Sequence, residues 1–471
     1  MLSGGNAQSI RDLFRNVCIG WLCRAGYYCL GLSALCPIGM VLCTDDSPVD
    51  DLIAEREGIR FFSLARTIGR RYEASESSTN EIVPRYRAQI DAELRRASGK
   101  RVVLAASIVS RTFCALAAET GCELIANAPN LIDFLNDKVR FLAAIEEMGL
   151  PKLPGRWVRL SAMRYGELAG EMGGRLVAQL ARGMSGSATV FMRSDADYRA
   201  AGLRFGDRDT WIAPDVGQLS LNVNALAFSS GTAVSYPSVQ LEGLPMVHAQ
   251  RGMYCGNDYL ATADLPPETV SNVIEQTKRI GAWLVSLGYR GLFGLDFVLD
   301  AASSRAYAVD LNPRWQGSTG PLTLAEYKAG RLPLAVADLA CRMGLLSEAE
   351  VLRHGDEFLE PVRVSHVSLR CQESSWWRVT KALRPGVYSL SGDDDFLRDG
   401  LRLNDLEGSG EMLVVGGVPR AGALLAPKSH ALRFSSERQV MDVATARPLR
   451  WSATAVQRLY ASMALSPVAA E

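Results

Sequence analysis

One segment, residues 291–317, constrains the fold of this chain more than any other. Two runs of strand-forming residues in it flank a short turn of small and polar residues, a pattern that predicts a β-hairpin. If the turn centres on Ser303, the two-residue period of a strand puts Asp296 directly opposite Asp310. Asn312 lies two residues beyond Asp310 and therefore shares its face. The sequence thus predicts two carboxylates and an amide brought together by one hairpin.

The opposed acids Asp296 and Asp310 need a compensating cation. Like charges across a strand pair repel each other, and burying them costs more. A hard divalent metal such as Mg²⁺ prefers oxygen ligands and usually shares them with nucleotide phosphates. Arg314 follows at the strand end, where a guanidinium can form a bidentate contact with a phosphate or a carboxylate. The residues alone also allow a solvated hairpin edge in which both aspartates face water.

The first part of the chain, up to about residue 135, has the alternation of an α/β domain. Short apolar runs predict buried strands, and the stretches between and after them predict helices. We expect a small, mostly parallel sheet covered by helices, with the serine-rich segment Glu73–Asn80 as a surface loop. The predicted strands are Ile38–Leu42 and Val102–Ala106, and the predicted helices are Glu81–Ala97 and Cys114–Thr120.

The middle of the chain carries a capped helix and a series of strands. Asn136 is expected to cap a helix over Asp137–Met148. The last predicted strand, Leu219–Phe228, alternates sharply between polar and apolar residues, so that Ser220, Asn222 and Asn224 face one way. The predicted strands are Leu176–Leu180, Ala188–Met192 and Leu219–Phe228, and an amphipathic helix covers Thr269–Leu287.

The last part, from about Pro361, changes character. Short β-like runs, Val364–Leu369 and Met412–Val415, are separated by glycines, and Thr445–Leu465 is helical near its end. This pattern predicts a separate small α+β domain. Its residues do not indicate any chemistry of their own.

The hairpin resembles the metal-binding hairpin of the ATP-grasp superfamily, where an acid on one strand faces an acid-x-Asn-x-Arg motif on the next. Asp296 is followed by Asp310-Leu-Asn-Pro-Arg314 in this arrangement. Three upstream features stand in the order of that family, over roughly residues 130–340. The first is Asn136-Asp137-Lys138, which opens a helix that ends Met148-Gly-Leu-Pro151. The second is a unit similar to the family's mobile phosphate loop (Leu176–Met192). The third is a segment similar to its adenine-holding linker (Trp211–Leu221).

The resemblance implies an α/β and α+β multidomain fold. A Rossmann-like pre-ATP-grasp domain would occupy residues 1–135, and a small α+β C-terminal domain would occupy 346–471. The ATP-grasp domain, 136–345, would consist of a lid-side subdomain, 136–210, and a metal-binding subdomain, 211–345.

The resemblance also implies roles for single residues. Mg²⁺ would be held by Asp296, Asp310 and Asn312, and Arg314 would be the catalytic cation. Lys138, in the first turn of its helix, would bind a nucleotide phosphate, because helix N-termini favour anions. The remaining ATP-binding candidates are Gln179, Arg182, Ser185 and Gly186 for the phosphates and Asp215 for the ribose hydroxyls.

One position departs from the family pattern. The strand before the phosphate loop normally carries a lysine that contacts ATP, and this chain has Gln179 there. Glutamine donates a hydrogen bond without a charge, so about 1.5–3 kcal/mol of charge-assisted interaction is missing. Arg182 is a candidate replacement from the loop. Either the phosphate contacts are altered or activity is lost, and the residues leave both open.

The implied activity is that of an ATP- and Mg²⁺-dependent ligase. It would activate a carboxylate as an acyl phosphate and join it to an amine, with amino-acid or small-acid substrates in biosynthesis. Three alternatives stay open: a nucleotide-binding regulatory protein of the same fold without turnover, a biotin-dependent carboxylase, and a phosphotransferase acting on a hydroxyl. Against the carboxylase, the chain has no Met-Lys-Met biotin acceptor, and Gly317-Ser-Thr-Gly320 replaces the family's glutamate.

Composition restricts the remaining classes of partner. The 51 Lys and Arg residues balance 51 Asp and Glu residues without a basic run, so nucleic acid is not an expected partner. Ten cysteines without a C-x-x-C pair are typical of reduced thiols in a cytoplasmic protein. The uncharged run Ala25–Thr44 contains glycines and a proline, so we expect a helix–turn–strand passage and no membrane span. The partners would be small-molecule carboxylates and amines, and a homodimer stays open.

Overall fold

The computed structural model describes residues 7–68, 76–97, 99–183, 186, 188–371, 376–391 and 396–468. They form a parallel α/β unit, a small antiparallel subdomain, and a large sheet with its flanking helices. No helix within these ranges is long and apolar enough to cross a membrane. The ten cysteines are all free thiols.

The N-terminal unit contains five strands and seven α-helices. The strands are β1 (Val17–Cys23), β2 (Ile38–Cys43), β3 (Arg60–Ser63), β4 (Arg101–Ala106) and β5 (Glu123–Ile125). The helices are α1 (Ala7–Leu13), α2 (Leu30–Ser33), α3 (Pro48–Glu57), α4 (Leu64–Ile68), α5 (Glu76–Arg96), α6 (Arg111–Thr120) and α7 (Pro129–Leu135). All strand pairs are parallel, in the order β3-β2-β1-β4-β5, so the predicted parallel sheet is confirmed.

Two sequence predictions for this unit have different outcomes. The run Ala25–Thr44 divides into short helical turns followed by β2, as predicted from its glycines and proline. The surface-loop prediction for Glu73–Asn80 was wrong from Glu76 onward, where α5 begins, and residues 73–75 lie outside the described ranges. First turns of helices are rich in serine and acidic residues, which makes them resemble loops in sequence.

The segment predicted as the lid-side subdomain follows, and it has its own core of apolar residues including Leu168, Ala178 and Ile212. Its helices are α8 (Lys138–Glu147), α9 (Tyr165–Met172) and α10 (Asp195–Phe205). Its strands are β6 (Arg156–Arg159), β7 (Leu176–Leu180), β8 (Thr189–Met192) and β9 (Asp209–Pro214), in the antiparallel order β6-β9-β7-β8.

The predicted cap of α8 was wrong by one residue. Asp137, rather than Asn136, is the N-cap, and its Oδ1 accepts the N–H of Val139 at 3.0 Å. Asn136 instead ends α7. Both residue types are good N-caps, so the sequence could not tell which one the short α7–α8 junction would use.

Residues 220–342 supply the elements that hold the candidate site. The strands are β10 (Ser220–Phe228), β11 (Gly231–Val234), β12 (Ser238–Glu242), β13 (Tyr254–Asp258), β14 (Gly291–Leu299) and β15 (Ala306–Asn312). The helices are α11 (Pro267–Ser286), α12 (Thr319–Lys328) and α13 (Leu334–Arg342).

The C-terminal region consists mainly of short strands. Its helices are α14 (Glu348–Arg353), α15 (Gly355–Phe358) and α16 (Arg450–Met463). Its strands are β16 (Ser365–Arg370), β17 (Trp376–Val379), β18 (Gly386–Ser389), β19 (Phe396–Arg398), β20 (Glu411–Gly416), β21 (Leu424–Leu425), β22 (His430–Ser436), β23 (Met441–Asp442), β24 (Arg447–Pro448) and β25 (Leu465–Val468).

The C-terminal strands continue the large sheet that contains β10 and β12–β15. The sheet runs β15-β14-β10-β12-β13-β16-β22-β20-β18-β19, with β11 paired to β10. One buried apolar cluster connects this sheet with the N-terminal unit. Arg420 adds ion pairs to Asp46 and Asp51 of the N-terminal unit, each at 2.7 Å. The predicted domain boundaries stay a prediction. The large sheet contains strands from both sides of residue 345, where the ATP-grasp domain was predicted to end.

Buried Glu326 of α12 should make stability depend on pH. Its side chain is 2% exposed, and burial raises its pKa from 4.5 to about 8. Because the folded state holds the proton more tightly, its contribution to stability is complete below the ordinary pKa and is lost as pH rises through about 8. Glu326→Gln, which stays neutral, should therefore gain stability relative to the parent between about pH 5 and about pH 8.

Thermal melting at both ends of that pH range measures the difference for Glu326→Gln. Glu275 lies exposed on α11, and Glu275→Gln is the matched control, with no expected trend. Parallel melting-temperature curves for Glu326→Gln and the parent would contradict the prediction.

Candidate active site

The hairpin of β14 and β15 has the predicted pairing at its acidic end. Asp296 pairs with Asp310, and Gly294 pairs with Asn312, as the alternation predicted. A β-bulge then shifts the register, so that Phe297 pairs with Ala308 and not with Val309. Bulges of this kind re-aim side chains at the ends of strands. The two carboxylates therefore lie side by side on one face.

Asp296 is partly buried. It accepts hydrogen bonds from the amides of Asn222, at 2.6 Å, and Asn312, at 3.2 Å. Burial, followed by the negative charge of Asp310, raises the pKa of Asp296 above its ordinary value. A cation bound beside Asp296 would counteract both of these effects on its pKa, because the charged form of an acid is favoured by a nearby positive charge.

Asp310 is more open, with 41% of its side chain exposed, and it is paired with a lysine. The Lys138 ammonium lies 3.0 Å from its Oδ1 and also donates to the carbonyl of Val309 at 3.1 Å. Only 11% of the Lys138 side chain is exposed. The lysine at the start of α8 thus reaches across to the hairpin, and its role as a phosphate-binding residue stays a prediction.

Arg314 lies two residues after the end of β15 and is partly buried. Its guanidinium donates to the Asn312 side-chain oxygen and to the Trp315 carbonyl, both at 2.9 Å. Burial lowers its pKa, and the neighbouring Asp310 and Asp296 counteract that effect. Its N–H donors are thus partly committed to holding Asn312 beside the acids.

Three amide and hydroxyl residues around Asp296 were not predicted as site residues. The Asn222 amide donates to Gln316 Oε1 at 2.9 Å, and Ser318 donates to Asn222 Oδ1 at 2.6 Å. Asn222 is 3% exposed, in a strand whose residues are all buried. The polar face of Ser220, Asn222 and Asn224 was recognised in the sequence. The signal that could have revealed these residues is a row of polar side chains on a buried strand, since buried amides require polar partners.

The phosphate-loop candidates of the lid-side subdomain divide into two groups. Gln179 of β7 lines the cleft and donates to Thr189 Oγ1 of β8 at 3.2 Å. Arg182 does not line the cleft, and its guanidinium donates to the Asp133 carbonyl at 3.3 Å. Arg182 is therefore turned away from the position that a replacement for the family lysine would need.

The loop itself approaches the large sheet at Gly186. This glycine has a φ of 78°, and an added Cβ would come within 2.0 Å of the Gly252 carbonyl oxygen. Only glycine combines that backbone conformation with so close an approach. Ser185, the other loop candidate, lies outside the described residues.

Asp215 lines the cleft but is already bound by two arginines. Its carboxylate, 3% exposed, accepts hydrogen bonds from Arg251 and from Arg175, the latter at 2.9 Å. Arg251 also stacks on Phe191 of β8, 4.0 Å from the ring centroid. These contacts tie the lid-side subdomain to the loop between β12 and β13. The predicted role of Asp215 in binding the ribose hydroxyls stays a prediction, and the partners that the structure shows for its carboxylate are the two arginines.

Of the residues predicted for the site, all that the structure describes except Arg182 line one cleft of about 980 Å³. This volume is at the upper end for a ligand site, so more than one small molecule fits. Within the described ranges, three or more acidic, histidine or cysteine side chains do not converge on one point. The hairpin therefore offers two carboxylates and an amide, a set that suits a hard cation sharing its ligands with phosphates.

The fold and this hairpin together define a class: the chain has the ATP-grasp fold, and the predicted fold class is confirmed. It is similar to biotin carboxylase from Campylobacter jejuni in a β,γ-ATP complex, with a TM-score of 0.58 and 14% identity over 95% of this chain and 92% of that one. It is also similar to carboxyaminoimidazole ribonucleotide synthase from Aspergillus clavatus complexed with ATP. There the TM-score is 0.53, with 12% identity over 94% of this chain and 98% of that one.

A third similar structure is the biotin carboxylase domain of the Hydrogenobacter thermophilus 2-oxoglutarate carboxylase, a dimer in complex with MgADP, ADP and bicarbonate. Its TM-score is 0.57, with 14% identity over 95% of this chain and 90% of that one. No family model matches the chain. In sequence, 199 residues, 42% of the chain, are 25% identical to the arginine-specific carbamoyl phosphate synthase large chain of Geobacillus stearothermophilus. The match spans 18% of that protein's length.

Proposed function

We propose that this protein is an ATP- and Mg²⁺-dependent ligase that activates a carboxylate as an acyl phosphate and joins it to an amine. The observation that carries the proposal is the opposed pair Asp296 and Asp310, flanked by Lys138 and Arg314 in one large cleft. Cations fixed beside a cleft stabilise negative charge that develops during phosphoryl transfer. The nucleotide complexes of the similar structures support ATP as the phosphoryl donor.

The residues present fit a magnesium ion. Asp296, Asp310 and Asn312 would hold it, and it would neutralise charge on the nucleotide phosphates. Burial and then the negative charge of Asp310 raise the pKa of Asp296, and a bound cation would counteract this, which supports the assignment. The Asn312 oxygen now accepts from Arg314, so that oxygen would be shared with the metal or released to it.

The remaining steps fall to this chain's own side chains. Lys138 would bind a nucleotide phosphate at the start of α8, where helix N–H groups also favour an anion. Arg314 would orient the substrate carboxylate for attack on the terminal phosphorus, with ADP as the leaving group. The amine then attacks the acyl carbon, and inorganic phosphate leaves. The loop around Gly186 would exclude water, which protects the acyl phosphate from hydrolysis.

A second function, nucleotide binding without turnover, is favoured by one specific observation. Gln179 is neutral and bonded to Thr189, and Arg182 is turned away from the cleft. The phosphates would therefore meet fewer cations than the family pattern provides. A regulatory protein of this kind would bind Mg·ATP and release no ADP.

The reaction is tested by ADP release against a panel of carboxylic acids, bicarbonate included, with and without amines. Hydroxylamine in the assay traps an acyl phosphate as a hydroxamate. ADP release that requires an acid, together with the hydroxamate, supports the ligase. ADP release with a phosphoester product indicates a phosphotransferase, dependence on bicarbonate indicates a carboxylase-type reaction, and nucleotide binding without ADP release indicates the regulatory alternative.

The nucleotide assignment makes a separate prediction. Lys138→Met should weaken binding of Mg·ATP roughly 10- to 100-fold, because a charge-assisted contact of about 1.5–3 kcal/mol is lost. Isothermal titration calorimetry measures the change. The control, Lys278→Met, alters an exposed lysine of α11 and should bind like the parent. Equal affinities for the two variants would remove Lys138 from the nucleotide site.

A further inference from the structure

The cleft extends past the hairpin into a second region, the distal lobe, lined by Arg24, Tyr28, Ser107, His430, Arg433 and Arg447. Arg24 follows β1 and Ser107 follows β4, so both lie at the carboxyl end of the parallel sheet. In the parallel sheet, β2 lies on one side of β1 and β4 lies on the other. This is the topological switch point, where parallel sheets form a ligand crevice. The C-terminal strands close the lobe from the opposite side.

Arg433 of β22 is the central cation of the distal lobe. Its Nη1 donates to the Tyr28 hydroxyl at 3.1 Å, and its Nε donates to Ser368 Oγ at 3.3 Å. The guanidinium carbon lies 5.8 and 5.7 Å from the ring centroids of Tyr27 and Tyr28, which stack on each other. All of these partners are neutral.

The local backbone makes room for this arginine. Gly416 of β20 pairs with Arg433, and an added Cβ on it would meet the Arg433 Cβ at 2.5 Å. His430, nearby on the same strand, adds no competing positive charge, because burial and then the charge of Arg433 lower its pKa well below the ordinary value. Its Nδ1 is bonded to Ser368 Oγ at 2.5 Å.

No carboxylate in the described part of the chain forms an ion pair with the Arg433 guanidinium, whose hydrogen bonds go to the hydroxyl groups of Tyr28 and Ser368. Arg24, by contrast, is paired with Asp45 at 3.3 Å. The Arg433 side chain is partly buried, and a charge that is partly withdrawn from water normally has a counter-ion. Arg433 faces a ligand cleft, and a ligand can supply the missing anion.

We propose that the distal lobe binds a carboxylate of the substrate on Arg433, distinct from the carboxylate that is activated at the hairpin. This inference rests on the proposed ligase function. Tyr28 lies near both Arg433 and Arg314, which makes the lobe continuous with the reacting end of the cleft. The planar guanidinium fork of Arg433 matches the two oxygens of a carboxylate.

Two substrates could carry this carboxylate. It is either the α-carboxylate of an amino acid that serves as the amine, or the second carboxylate of a dicarboxylic acid. Both would present a carboxylate to Arg433, and the comparison of each compound with its matched amide distinguishes the two cases. The probes are the common L-amino acids against their α-amides, and short dicarboxylates against their monoamides.

Binding of these probes is measured by isothermal titration in the absence of nucleotide, which separates the result from the proposed function. The parent protein should bind members of one series at least about tenfold more tightly than the matched amides, since a charge-assisted contact distinguishes them. Arg433→Met should abolish that preference, and Arg433→Lys should retain part of it. Mg·ATP affinity, titrated separately, should not change in either variant.

Thermal melting checks that each variant is folded, because Arg433→Met also removes the hydrogen bonds to Tyr28 and Ser368. Arg450→Met, at an exposed position of α16, is the control for both measurements. Equal binding of acids and amides, no binding of either series, or an unaltered preference in Arg433→Met would each overturn the proposal.

Discussion

Replacing Asp310 with asparagine is expected to reduce ATP-dependent turnover by roughly 10²–10³-fold, because one of two charged metal ligands becomes neutral. Asparagine preserves the size of the side chain and can still accept from Lys138. The parent side chain is 41% exposed, so little of the fold depends on its charge. The expected result is loss of magnesium-dependent ADP release with an unaltered melting temperature. ADP release over a magnesium titration and thermal melting measure the two quantities.

The matched control for this experiment lies in the same hairpin. Asp300 stands at its turn, accepts hydrogen bonds from Ser303 and from the Ala302 N–H, and does not line the cleft. Asp300→Asn should therefore release ADP at the parent rate. If Asp310→Asn also kept the parent rate, the hairpin would not be the metal site, and the proposed ligase function would lose its main support.

The hairpin could be predicted from sequence because its determinants are local. The alternation of β14 and β15 and the short turn between them set the pairing of Asp296 with Asp310 without reference to any other element. The parallel sheet of the N-terminal unit was predictable for the same reason, since each β–α unit carries its own hydrophobic pattern. The bulge at Val309 was not predictable, because one extra residue changes the register without changing the alternation visible in the sequence.

The parts that could not be predicted depend on contacts between distant segments. Arg433 contacts Tyr28 across 405 positions of the chain, and a single arginine in a short strand gives no sign of such a partner. Asp215 fitted the ribose-binding position of the family pattern, but Arg175 and Arg251 converge on it only after the subdomains pack. The C-terminal strands formed an apparently separate pattern because sheet continuation through β13 and β16 is a tertiary event.

Buried Asp258 carries the prediction with the largest effect on stability. It ends β13, is 0% exposed, and accepts four backbone hydrogen bonds. Its Oδ1 accepts the N–H groups of Leu260 and Ala261, both at 3.1 Å, and its Oδ2 accepts those of Val440 at 2.6 Å and Met441 at 2.9 Å. The carboxylate thereby fastens the C-terminal segment that reaches the cleft at Met441.

Asp258→Asn is expected to destabilise the protein by about 3 kcal/mol or more, despite its nearly identical shape. The asparagine oxygen can serve one pair of N–H groups, but its NH₂ group then faces the other pair, and two buried donors are left without an acceptor. Asp258→Ala should cost a similar amount, since it removes both oxygens. Denaturant unfolding followed by circular dichroism measures the free energy of unfolding of each variant.

Asp264 provides the matched comparison at the same junction. It is exposed and accepts a single hydrogen bond from the Gln439 side chain at 2.7 Å. Exposed polar contacts contribute little, so Asp264→Asn should change the free energy of unfolding by less than about 1 kcal/mol. A large gap between the two asparagine variants is the signature of a carboxylate that acts as a four-way acceptor. If Asp258→Asn were as stable as Asp264→Asn, the C-terminal segment would have to be held to the large sheet by other contacts.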